Sequence, residues 1–176
     1  MLKRYQSGGN QALGTYRDKK KPLLVAEQFE ALLGRSEALP HYIPEFHRYL
    51  LEYPNASLEG VEDYFLWEKV KFGLKPTIRV NHVSIYKAPG MYVTAIKQLY
   101  SSHYFQTAID LSFCVKDSDA PDKPGFFLVT VKGSRQDGLT GFKGSLVRRV
   151  VTGRTRESME TAMRAMKTTL EEEAEK

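Results

Sequence analysis

Apolar residues are spaced three to four positions apart from about Leu23 to Pro54, recur at every second position from about Asp63 to Lys132, and return to the wider spacing after Gly138. A helix presents one face every 3.6 residues and a strand every two, so no segment satisfies both periods. The chain must therefore fold as helices, then a run of strands, then a helix again. Strands that follow one another through short turns pair antiparallel. The expected class is thus α+β, with the helices segregated from the sheet. At 176 residues the chain has the length of one domain with one core.

The helical pattern begins near Leu23, with Leu24, Phe29, Leu32 and Leu33 on one face and Gly34 at the expected C-terminus. Pro40 and Pro44 suit the start of a second helix carrying Phe46, Tyr49, Leu50 and Tyr53, which Pro54 ends. The spacing then predicts strands over 64–72 and 77–86. The apolar side changes midway through the second, which predicts a bulge near Asn81-His82. Residues 91–100 return across Ala88-Pro89-Gly90 as a hairpin. Residues 104–115 alternate most regularly: Thr107, Ile109, Leu111, Phe113 and Val115 share one face, and Gln106, Asp110 and Ser112 the wetter one. After a turn over 117–125, a further strand covers 126–132. Phe142, Leu146, Val150, Met159, Met163, Met166 and Leu170 then trace one stripe of a helix within 140–172, of which roughly thirty helical residues at 1.5 Å each span about 45 Å. Its acidic tail opposes the helix dipole, so its last turn is expected to fray.

Charge narrows the partners. Lys and Arg total 26 against 21 Asp and Glu, a net +5. Residues 1–22 hold six of the basic residues and one acid, and the remainder holds twenty of each. The first 22 residues, lacking apolar periodicity, are expected to be a flexible basic arm on a neutral domain spanning 23–176. The single cysteine, Cys114, allows neither an internal disulfide nor a cysteine zinc cluster. No secretory signal pattern begins the chain. His41 and His47 do not fit a metal-binding helix spacing, and Asp117, Asp119 and Asp122 lack the glycine and glutamate of an EF-hand loop. Gly141-Phe142-Lys143-Gly144 lacks the surroundings of a KH loop, and no Walker or dinucleotide glycine loop occurs. No metal or cofactor is expected.

Val129-Thr130-Val131 leading into Ser134-Arg135-Gln136-Asp137-Gly138-Leu139, with Gly141, Leu146 and Val147 opening the long helix, is similar to the passage from last strand to helix in START domains. Lys97-Gln98-Leu99-Tyr100-Ser101-Ser102-His103-Tyr104-Phe105 resembles a stretch of uncharacterised bacterial proteins of that kind. Together with the order of elements, over about residues 23–172, the chain resembles the START and polyketide-cyclase-like, helix-grip superfamily. The resemblance implies two short N-terminal helices and a curved antiparallel sheet wrapped around the long C-terminal helix, with an apolar cavity between sheet and helix. The family begins with a strand before its two helices, and residues 1–22 offer none. The resemblance also implies a bacterial protein and favours the cell envelope, the periplasm, over the cytoplasm.

Lys97, His103, Asp110, Arg135 and Asp137 are polar residues in or beside apolar strands, where a charge must be paired or serve a ligand. Arg135 and Asp137 share a side-chain direction and could bond each other or hold a head group, and His103 could act as a base. Aromatic and methionine side chains line varied apolar ligands as well as ordinary cores. The candidate ligand-binding set is Trp67, Tyr86, Lys97, Tyr100, His103, Tyr104, Asp110, Arg135, Met159 and Met163, with no catalytic residue assigned. The leading expectation is a binder or carrier of a hydrophobic, lipid- or sterol-like molecule. A cyclase- or aromatase-like enzyme using the same cavity is the alternative. A third reading is a salt-dependent binder of nucleic acid or anionic membrane through the arm and the basic part of the long helix. Of those two partners the membrane surface is retained, and nucleic acid is not expected.

Overall fold

The computed structural model describes residues 1–16, 22–72, 75–102, 105–117, 125–136 and 141–174. Met1–Gln136 form one compact unit and Asp137–Lys176 a second. In the first unit, helix α1 (Leu2–Gly8) and a 3-10 turn (Gly9–Leu13) precede two two-residue strands, β1 (Thr15–Tyr16) and β2 (Leu23–Leu24), which pair only with each other. Helices α2 (Val25–Leu33), α3 (Ala38–Tyr42) and α4 (Pro44–Glu52) follow. Strands β3 (Val61–Phe72), β4 (Lys75–Ala88), β5 (Met91–Ser101), β6 (Phe105–Lys116) and β7 (Phe126–Gln136) then form a curved antiparallel meander in sequence order. The α+β class and the five-stranded sheet agree with the sequence pattern.

The expected flexible arm is corrected. Residues 2–8 are helical, and Tyr5 is fully buried. A lone aromatic among basic residues carries no period, so nothing in the local pattern announces that it docks. Gly9 makes the docking possible. Its φ is +59°, and a Cβ there would lie 1.8 Å from the Tyr53 carbonyl oxygen, so only glycine lets the chain turn this close to α4. The two expected N-terminal helices are also corrected, to four. Pro40 lies inside α3, and Pro44 opens α4 at a position where its missing N–H costs nothing. Leu24, expected on the first helical face, sits in β2 and is exposed, while Val25, Phe29 and Leu33 form that face.

The core lies between these helices and one face of the sheet. Leu33, Leu39, Ile43, Phe46, Tyr49 and Leu50 meet Ala88, Val93, Ala95, Ile109 and Leu111. Each large apolar side chain so removed from water contributes about 1.5–3 kcal/mol. The Pro89-Gly90 connection between β4 and β5 uses a positive φ at Gly90, as such a tight turn requires. The expected bulge is present: the β4–β5 register shifts between Val80 and Asn81.

The second unit is helix α5 (Gly141–Ala174), 34 residues or about 50 Å. Its span includes the acidic residues Glu171–Glu173. Exposed ion pairs Arg156–Glu160 and Lys167–Glu171 bridge successive turns. Among the described residues no helix is long and apolar enough to cross a membrane.

Candidate functional site

Strand alternation gives the sheet two chemically different faces. On β5, Val93, Ala95 and Lys97 point to the helices, beside His82 and Ser84 of β4 and Ile109 and Leu111 of β6. Ile96 and Gln98 point the other way, level with Val83 and Asn81 on β4 and with Asp110 and Ala108 on β6. That second face carries an open groove of about 440 Å³, lined by residues of β3, β4, β5 and β6. Its volume lies within the ~300–1,000 Å³ that small-molecule sites occupy.

Leu66, Val83, Ile96 and Ala108 supply the apolar wall of the groove, and Trp67 borders it on edge strand β3 with 76% of its surface exposed. The charges of the groove are paired with one another. Arg79 Nη2 meets Glu68 Oε1 at 2.8 Å, the same oxygen accepts from Asn81 Nδ2 at 2.7 Å, and Asp110 pairs with Lys132 of β7. Gln98 does not share this pairing. It is 3% exposed, and among the described residues neither its Oε1 nor its Nε2 has a hydrogen-bond partner. Arg79 Nε is likewise buried and unpartnered.

The helix face holds a different polar group, a buried chain of hydrogen bonds. Lys97 Nζ, with no exposed surface, donates to Tyr5 Oη at 3.2 Å, Asn10 Oδ1 at 3.0 Å and the Leu50 carbonyl at 2.9 Å. Tyr5 Oη lies 2.8 Å from His82 Nδ1, and His82 Nε2 lies 2.8 Å from Asp63 Oδ1. Ser84 Oγ donates to that Asp63 oxygen at 2.7 Å, and Tyr49 Oη donates to the other. A carboxylate at one end and an amine at the other set the direction of every proton: Lys97 to Tyr5, Tyr5 to His82, and His82 to Asp63.

Burial pushes the Lys97 amine down to about 7, with Asp63 partly opposing it. Burial also pushes His82 below its ordinary range, against the pull of Asp63, so a neutral imidazole donates Nε2–H. For Asp63 burial acts upward, but hydrogen bonds from His82, Tyr49 and Ser84 outweigh it and hold the carboxyl below its ordinary value. The rings of Tyr53, Phe65 and His82 enclose the Tyr5 ring. Tyr5, His82 and Lys97 are buried, so the chain fixes α1 to the sheet, and Asp63 at its end is exposed.

The expected site residues separate accordingly. Trp67 and Asp110 line the groove. Lys97 lies on the opposite face, beneath α1, where its amine meets three acceptors. Tyr86 stacks on Phe46 at 5.6 Å on the helix side. Tyr100 is 41% exposed, near the end of β5. Arg135 is exposed on edge strand β7 opposite Thr107. Met159 and Met163 are half-buried on α5, in the second unit. His103, Tyr104 and Asp137 fall outside the described residues.

No protein-family model, curated protein or solved structure matches the chain. The site must accordingly be interpreted from its own chemistry. Sequence reasoning missed Gln98, Arg79, Asn81 and Glu68 in the groove, and Tyr5, Asn10, Asp63 and His82 in the buried chain. One signal was available for Gln98. The shifted register brings Lys97, Gln98 and Leu99 into burial consecutively, which period-two alternation forbids on a sheet covered on one face only.

Proposed function

We propose that this protein binds a small apolar molecule in the groove on the sheet face opposite the core. The observation that carries the reading is the groove itself: a wall of Leu66, Val83, Ile96 and Ala108, bordered by Trp67, in a volume suited to a small ligand. The order of short helices, antiparallel meander and long helix, and the resemblance to helix-grip proteins, support the same reading. Binding is favoured over catalysis because Glu68 and Asp110, the carboxylates lining the groove, are each paired with a cation. A general acid or base would need one of them released.

Trp67 is the only tryptophan in the chain, so its emission reports on this site alone. N-phenyl-1-naphthylamine, an uncharged apolar dye, should brighten with the protein and quench Trp67. Ile96→Glu places an unpaired charge in the groove beside Asp110 and should weaken dye binding at least tenfold with the fold retained by circular dichroism. Absence of dye binding to the unaltered protein, or unchanged binding by Ile96→Glu, would contradict the reading.

A further inference from the structure

We infer that the ligand of this groove is an uncharged molecule bearing an amide or an equivalent adjacent donor and acceptor, seated against Gln98. The inference rests on the proposed groove and specifies the class of molecule it takes. Gln98 offers one acceptor and two donor hydrogens, all buried and all without a partner, at a position directly opposite Asn81 and Ala108. A buried polar group left unpaired is costly, and native proteins seldom retain one without a use. Arg79 Nε adds a second unpartnered donor in the same groove.

The chemistry that satisfies this set is narrow. A ligand carbonyl would accept from Gln98 Nε2 or Arg79 Nε, and a ligand N–H would donate to Gln98 Oε1. A carboxylate can accept but not donate, so it would leave Gln98 Oε1 facing a negative charge. It would also meet a groove whose cation is already held by Glu68 at 2.8 Å and whose Asp110 is answered by Lys132. An alcohol has one oxygen for both tasks and cannot meet both amide atoms with good geometry. An alkyl chain on the amide would lie along Val83, Ile96 and Ala108.

The test displaces N-phenyl-1-naphthylamine from the full chain with octanamide, octanoate and octan-1-ol at pH 8. Octanamide should displace the dye at about one tenth the concentration needed for either of the others, the effect of one added hydrogen bond and one avoided repulsion. In Gln98→Leu, with each displacement referred to that variant's own dye affinity, the order should be lost, with octanol and octanamide equal within about twofold. Equal displacement by all three ligands, stronger displacement by octanoate, or an unchanged order in Gln98→Leu would each overturn the inference while leaving apolar binding intact. Failure of the dye to bind at all would overturn the binding function itself.

Discussion

Gln98 and Lys97 are neighbours in β5, both buried, and their side chains leave opposite faces of the sheet. Lys97 finds three acceptors and Gln98 finds none. The first fixes the fold, and the second carries the proposed ligand contact. Gln98→Leu removes an unpaired amide at nearly constant volume, so it should raise stability by about 1–2 kcal/mol in urea unfolding. Destabilisation would mean that the amide is bonded in solution. For Lys97 the sign follows from proton counts. The unfolded lysine holds its proton up to its ordinary value of 10.5, whereas the folded one releases it near 7. Between these values the unfolded state binds more protons, so stability rises with pH, by up to about 1.4 kcal/mol per unit. The urea midpoint should therefore climb from pH 7.5 to 9, and Lys97→Met should flatten that climb. A buried charge at Lys97 was legible as polar residue among apolar ones. Which face it took was not, because its partners Tyr5, Asn10 and Leu50 lie 92, 87 and 47 positions away.

At the scale of elements, α1 is the part that sequence misjudged most. Its basic residues Lys3 and Arg4 are exposed and Tyr5 alone reaches the core, so a helix of seven residues has no apolar stripe to detect. Its place depends on Tyr5 and on the close approach at Gly9. Tyr5→Ala should cost about 3–5 kcal/mol through lost packing and the partners it strands. Gly9→Ala should also lower the melting temperature, because its Cβ would collide with backbone rather than with a side chain that could yield. If calorimetry finds both variants as stable as the parent, α1 does not dock as described. The five strands, by contrast, were legible as elements, since period two, the Pro89-Gly90 turn and even the bulge are written in local residues, although β3 begins three residues earlier and β7 runs four residues further, through Gly133 to Gln136, than the apolar alternation marks. Helix α5 was legible from its stripe, although its acidic end proved no barrier to helix formation.

In the first unit, one face of the sheet is spent on a core and the other carries the groove in which we propose that a ligand binds. The helix face buries Val93, Ala95, Ile109 and Leu111 beneath α2–α4 and, with them, Lys97, Tyr5 and His82 of the hydrogen-bonded chain, whose last member, Asp63, reaches solvent. The opposite face keeps Ile96 and Leu66 in contact with solvent around an amide that has no partner among the described residues. The class of fold was readable because it follows from period. The groove was not, because it depends on which residues of separate strands stand level with one another. The most direct measurement is the side-chain amide resonance of Gln98, assigned with ¹⁵N-glutamine and Gln98→Leu, during titration with octanamide. The account predicts that this resonance moves downfield in the proton dimension with the same saturation curve as Trp67 quenching, while octanoate leaves it in place. A Gln98 resonance that stays fixed while Trp67 is quenched would contradict it.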